Sequence, residues 1–200
     1  LAHGGGGVDP ATGAVVPPIQ PATTFARDAE YRLIGDTHLY ARDDNDLVRQ
    51  IESLIAGAKG MFVATTFASN VARVKTLAEA GERAGQSICL MGRAMRRMIE
   101  AAVETGVLTD FPATVTPEEA GNIPRESLML IVTGSQGERR AASAQLANGK
   151  YNGITMKEGD TFLFSSKTIP GNERGVIRII NQFSEMGVDV IEGDDRYHVS

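Results

Sequence analysis

The chain reads as an α/β protein built of repeated βα units around a parallel sheet, preceded by an extended, irregular N-terminal arm. Three observations predict this. Short, nearly continuous apolar runs recur from residue 59 onward, such as Ser87–Met91 and Leu128–Val132. Each run is followed by a stretch with apolar residues at helical spacing. The turns between run and helix are rich in Gly, Ser and Thr. Strands buried on both faces and joined by helical crossovers account for all three.

Residues 1–30 hold four of the eight prolines and the run Gly4 to Gly7, with little periodic pattern, so they read as an arm. A short amphipathic helix is expected over Asp46–Ala56, with Leu47, Ile51, Leu54 and Ile55 on one face. The division is therefore into residues 1–58, arm plus helix, and residues 59–200, the α/β domain. Met61–Thr66 predicts the first strand and Ser69 a helix N-cap, with Val71, Val74, Leu77 and Ala78 inward. Ser87–Met91 leads into a helix over Arg93–Thr105 that buries Met95, Met98, Ile99, Ala102 and Val103, and Gly106 ends it. Leu128–Val132 leads into a helix through Arg139–Ala147. Thr161–Phe164 leads into Pro170–Met186, with Pro170 in the first turn and Val176, Ile177, Ile180 and Phe183 inward. Strands at Val188–Ile191 and Tyr197–Val199 close the pattern.

Composition bounds the function. The chain has 200 residues, 42% hydrophobic and 22% charged, as in ordinary globular domains. No apolar run is long enough to span a bilayer, so no membrane partner is expected. Cys89 is the single cysteine, which excludes an internal disulfide and points to a reduced, cytoplasmic setting. The net charge of −5 argues against a nonspecific nucleic-acid binder. Residues 1–58 carry four basic and eight acidic side chains, and residues 59–200 sixteen and seventeen. Any nucleic-acid site must then rest on shaped loops.

In an open parallel sheet ligands bind beyond the carboxyl ends of the strands. Four polar turns fall there: Thr65-Thr66 with Ser69 and Asn70, Gly92-Arg93, Thr133 to Gln136, and Ser165 to Thr168. Hydroxyls and backbone N–H groups at helix N-termini suit a phosphate oxygen. One such turn is explained by capping alone; two long ones, Thr133-Gly-Ser-Gln-Gly-Glu138 and Phe164-Ser-Ser-Lys-Thr-Ile-Pro-Gly-Asn-Glu173, indicate a functional edge. Arg93, Arg96 and Arg97 are expected to be a solvated helix side, Met95 and Met98 core, and Cys89 a buried small hydrophobe.

These two motifs, with Ala68-Ser69-Asn70, Met91-Gly-Arg-Ala-Met95 and His198-Val-Ser200, make residues 59–200 resemble the β-CASP domain of bacterial ribonuclease J. That is a family of zinc-dependent RNA hydrolases of the metallo-β-lactamase superfamily. The resemblance implies that RNA threads between this domain and a metallo-β-lactamase-type catalytic domain. It implies single-stranded RNA as partner and Ser165, Ser166 and Lys167 facing its backbone. Ser69, Asn70, Thr133, Gly134, Ser135, Gln136, Thr168, Asn172 and Ser200 complete the implied RNA- and phosphate-binding set. His198 and Ser200 would open the family's His-Val-Ser-Gly-His loop, with His198 the implied catalytic residue. The following Gly and His are absent, as is the family's His-x-His-x-Asp-His zinc motif, and His3, His38 and His198 stand apart. No metal ligand set is therefore expected in this chain, which by itself is expected to be inactive. A homo-oligomer, or a non-catalytic module docking through an exposed face, is a further expectation.

The first segment resembles another family. Leu1-Ala-His-Gly-Gly, Asp9-Pro-Ala-Thr-Gly-Ala-Val-Val-Pro-Pro-Ile19 and Pro21-Ala-Thr-Thr-Phe25 are similar to the N-terminal arm of cystathionine γ-synthase-type pyridoxal-phosphate enzymes. Tyr40-Ala-Arg42 matches that family's Tyr-x-Arg, which implies a hold on the phosphate of pyridoxal phosphate by Tyr40 and Arg42. Lys167, in Ser165-Ser-Lys-Thr168, only faintly matches a cofactor lysine, and residues 1–45 are expected to be a tail without function here. The chain thus reads as a junction of two families between Asn45 and Lys59, whether by fusion, design or a mis-joined frame.

Overall fold

The structure is a computed structural model that describes residues 46–192. Six strands form one parallel sheet: β1 (Phe62–Thr65), β2 (Ser87–Met91), β3 (Thr114–Val115), β4 (Leu128–Val132), β5 (Thr161–Phe164) and β6 (Asp189–Glu192). Their order is β3-β2-β4-β1-β5-β6. The helices are α1 (Asp46–Gly57), α2 (Val71–Arg83), α3 (Arg93–Glu104), α4 (Pro117–Ala120), α5 (Ala142–Ala147) and α6 (Glu173–Glu185), with a 3-10 turn at Arg125–Ser127. The α/β class and the parallel sheet agree with expectation, and β2, β4 and β5 have the bounds read from the sequence.

The strands are apolar throughout because both faces are covered. Alternate residues enter different cores. Cys89, Met91, Leu130, Val132, Phe162 and Phe164 join α4, α5 and α6 on one face. Ile88, Leu90, Met129, Ile131, Phe62 and Leu163 join α1, α2 and α3 on the other. Helix α1, grouped with the arm in the sequence reading, packs Val48, Ile51 and Ile55 into this second core. On the first face Phe162 lies against Phe183 at a ring-centroid distance of 4.4 Å and meets Phe164 edge-on at 5.0 Å.

Several expectations are corrected. Asn70, not Ser69, caps α2: its side-chain oxygen accepts from the Arg73 N–H at 3.0 Å. Met98 and Val103 are 42% and 47% exposed, because α3 turns only Met95, Ile99 and Ala102 inward. Ile177 is likewise exposed, and Ile179 takes the buried place beside Val176 and Phe183. Pro170 does not open α6, which begins at Glu173 after an irregular stretch. The helix expected from Arg139 starts at Ala142. Strand β3, α4 and the 3-10 turn were not read from the sequence, since two strand residues and one helical turn leave no periodicity. Tyr197–Val199 lies outside the described residues.

Candidate nucleic-acid interface

The sheet order creates a crevice. Strand β1 leads to α2 on one face, whereas its neighbour β4 leads to α5 on the other. Loops after β1 and β4 therefore diverge at a topological switch point, where open α/β sheets bind ligands. The Ser165 loop flanks β1 on the other side, since β5 is its second neighbour. The ladder persists to this rim: Thr66 N–H donates to the Val132 carbonyl at 3.2 Å and Ser165 N–H to the Thr65 carbonyl at 3.1 Å.

The Thr133–Glu138 turn is built by close backbone approach. Gly134 has φ +108°, and a Cβ there would lie 2.0 Å from Ser143 Oγ. Gly137 has φ +74°, and its Cβ would lie 2.3 Å from the Gly175 carbonyl carbon, at the start of α6. Both glycines are thus accounted for by packing. The chain loops out and returns, so that Ser143 N–H donates to the Thr133 carbonyl at 3.0 Å and Ser143 Oγ to the Gly134 carbonyl at 2.8 Å. Those bonds close over the helix start.

Gln136 ties the two motif loops together. Its Nε2 donates to the Lys167 carbonyl at 2.9 Å. Its Oε1 accepts from the Ile169 N–H at 2.7 Å and Asn172 Nδ2 at 3.3 Å. Only 7% exposed, it acts as a spacer between loops. Asn172 is engaged by it, and Asn70 is engaged in capping. Ser69 and Lys167 face solvent, while Thr133, Thr168 and Asn172 are half-buried.

Sequence reasoning missed Arg73. It sits in the first turn of α2, 7% exposed, and its Nε donates to Ser165 Oγ at 2.7 Å while a terminal nitrogen donates to the Ser165 carbonyl at 3.2 Å. Burial lowers its pKa to about 10, so at neutral pH it remains a cation beneath the Ser165 loop. An arginine between an N-cap and an apolar stripe carries no sequence signal of burial. Only the closeness of β1 and β5 brings α2 onto that loop.

Three hydroxyls stand out. Thr66 Oγ1, Ser135 Oγ and Ser166 Oγ are buried and make no hydrogen bond among the described residues. They belong to the loops after β1, β4 and β5, three neighbouring strands. Buried hydroxyls without partners are rare and each calls for an explanation. The three lie on the ends of neighbouring strands, and Arg73 is bound to Ser165 in the last of these loops. His198, Ser200, Tyr40 and Arg42 lie outside the described residues. Among the described residues no group of three His, Cys, Asp or Glu side chains comes close enough to hold a metal ion. The described residues therefore do not offer the ligands of a zinc pair. No helix among them is long and apolar enough to cross a membrane.

Comparison with known proteins places this geometry in a family. Residues 59–183 match the family described as "Ribonuclease J, beta-CASP domain". Ribonuclease J of Sinorhizobium meliloti is 38% identical over 158 residues, 78% of this chain and 28% of that protein. Ribonuclease J 1 of Streptococcus pyogenes is 39% identical over 146 residues, 72% of this chain and 26% of that protein. The chain thus spans between a quarter and a third of the length of these relatives. The crystal structure of metB from Corynebacterium glutamicum superposes over 92% of this chain and 41% of that one, at 17% identity. Its TM-score of 0.26 is too low to bear on the fold or on the resemblance of the first segment. With its family match covering most of the parallel sheet and both motif loops, the chain belongs to the ribonuclease J β-CASP domain family.

Proposed function

We propose that this chain is the RNA-binding β-CASP portion of a ribonuclease J-like RNA hydrolase, and that it grips single-stranded RNA along the carboxyl edge of its sheet. The observation that carries the reading is the trio of buried, partnerless hydroxyls on Thr66, Ser135 and Ser166. With the loops parted to admit it, a phosphodiester at this rim would accept from them, with Arg73 supplying charge and exposed Lys167 reaching the strand from outside. Thr133, Gly134 and Gln136 shape the cradle, and Ser165 positions Arg73. Hydrolysis belongs to a metal centre on a metallo-β-lactamase-type domain beyond this chain, zinc being the family's metal. Within such an assembly this edge holds and aligns the substrate.

The hydroxyls separate function from structure. Replacing Thr66→Val, Ser135→Ala or Ser166→Ala removes a buried group with no protein partner, so stability should hold or rise by about 1 kcal/mol. Affinity for a single-stranded RNA octamer should fall about tenfold for each hydroxyl that meets a phosphate, which is about 1.4 kcal/mol. Titration by fluorescence anisotropy beside urea unfolding measures both. Unchanged affinity in all three variants would remove the basis of the reading.

A further inference from the structure

Away from this crevice, a second basic site lies at the other end of the same edge. Helix α3 begins directly after β2, and its first residues, Arg93, Arg96 and Arg97, line a cleft of about 370 Å³ together with Glu100, Thr114 and Thr116 of the β3 side. The placement gathers three cations, with Glu100 as the acidic residue on the cleft wall. Arg93 faces Arg96 and Arg97 at three- and four-residue spacing, where like charges repel. All three crowd a helix N-terminus, the positive end of the macrodipole. That terminus has no acidic residue in its first turn, and its N-cap, Gly92, offers no side-chain bond. None of the three arginines forms an ion pair among the described residues. The nearby Glu119 turns its carboxylate back onto the Thr116 N–H at 2.8 Å in the capping box of α4.

The cleft continues into a more apolar one of about 330 Å³, where half-buried Phe111 and 47% exposed Val103 meet Arg96, with Glu100 and Glu104 also in its wall. A basic groove running into an aromatic surface is the pairing that single-stranded nucleic acid uses, phosphate on the cations and base on the ring. Free phosphate has no use for the second part.

We propose that the α3 cleft is a second contact site for the same RNA strand, its arginines taking a backbone phosphate and Phe111 a base. The inference rests on the reading of the carboxyl edge as an RNA track. The sheet order sets the spacing. From β5 to β3 there are four strand intervals, roughly 19 Å at about 4.8 Å each. At the roughly 3.4 Å rise of a stacked strand this distance is about six nucleotides. A dinucleotide held at the Ser166 loop falls short of it, and an octamer spans both.

The test compares RNA dinucleotide and octamer binding by the whole chain, the Arg96→Gln/Arg97→Gln variant and a Lys150→Gln/Lys157→Gln variant. The last loses the same charge on the connection into the amino end of β5. The arginine variant should bind the octamer about tenfold more weakly. Its salt dependence should be shallower by about 0.7, the share of one lost phosphate contact on a single strand. Dinucleotide binding and the lysine variant should match the parent. If both double variants bind the octamer alike, the proposal is overturned while the hydroxyl variants still test the edge itself. If the parent binds neither RNA, the edge reading and this proposal fall together. Inorganic phosphate is the remaining arm. Should it shift the Arg93–Met95 amide resonances as strongly as the octamer does, the cleft is a free-anion site and the RNA assignment is overturned.

Discussion

Asp160, 1% exposed at the entrance to β5, accepts four donors on two oxygens. They are the Met61 N–H at 2.9 Å, the Lys157 N–H at 2.7 Å, and two nitrogens of Arg125, which also holds the Thr155 carbonyl at 2.9 Å. The group stitches β1, β5 and the 3-10 turn together at the amino edge, opposite the loops. Asp160→Ala would strand two buried N–H groups and a partly buried guanidinium, so a loss of about 3 kcal/mol is expected as a lower urea midpoint. Gly60 is bound to this arrangement, since a Cβ there would lie 2.6 Å from Asp160 Oδ1. Cys89 offers a second test at this scale. Burial first, then Glu118 and Glu119, push its thiol up to about 11, with Arg96 opposing them. The unfolded chain therefore loses this proton before the native one does. Stability from the neutral thiol is complete below the ordinary thiol value of 9.0 and is lost as pH rises through about 11. Cys89→Ala should flatten that alkaline decline. In the native parent at pH 8, the thiol should react with alkylating reagents only on the timescale of unfolding.

Helix α3 shows how an element divides its residues between tasks. Five apolar positions suggest a wide buried stripe, yet only Met95, Ile99 and Ala102 are buried. A helix on a sheet offers one narrow face, and residues one position to either side fall on its flanks. Ile99→Ala should therefore cost about 2–5 kcal/mol. Met98→Ala and Val103→Ala should stay within about 0.5 kcal/mol, as read by thermal unfolding. Helix α4 survives at four residues because Thr116 and Glu119 satisfy each other's N–H groups and Pro117 opens the turn. The same box keeps the Glu119 pKa below its usual value, chiefly through the Thr116 N–H. Its small stabilisation is present above the unfolded carboxylate value and is lost as pH falls through the lower native one. At the junction of turn and helix, Gly137→Ala would force a Cβ into Gly175 with φ at +74°. A loss of about 3 kcal/mol, with weakened RNA binding as the two motif loops part, is the expected result.

For the molecule as a whole, strand order decides what the loops can do together. The motif loops after β4 and β5 are about thirty residues apart in sequence and lie on either side of β1. That arrangement puts Thr66, Ser135 and Ser166 on neighbouring strand ends and lets Gln136 span the gap. Their lack of partners among the described residues is a cost to folding that the proposed RNA binding would explain. The net charge of −5 fits the proposal that RNA is held by this edge and not by diffuse charge. The salt dependence of RNA binding should then report a few phosphates only, and a steep slope would indicate diffuse contact.

The sequence alone determined the α/β class, the bounds of three central strands and the motif loops, because these rest on local apolar pattern and chain order. It also carried the family resemblance of residues 59–200, which the family match bears out over residues 59–183. Only the tertiary structure decided which polar residues are engaged in holding the fold. Asn70 and Gln136 proved to be spent on capping and bridging, Arg73 came to lie under Ser165, and three arginines came to share a cleft. The reason is that hydrogen-bond partnership and charge compensation depend on neighbours brought close by the sheet order. Residues distant in the chain leave no local mark of that order.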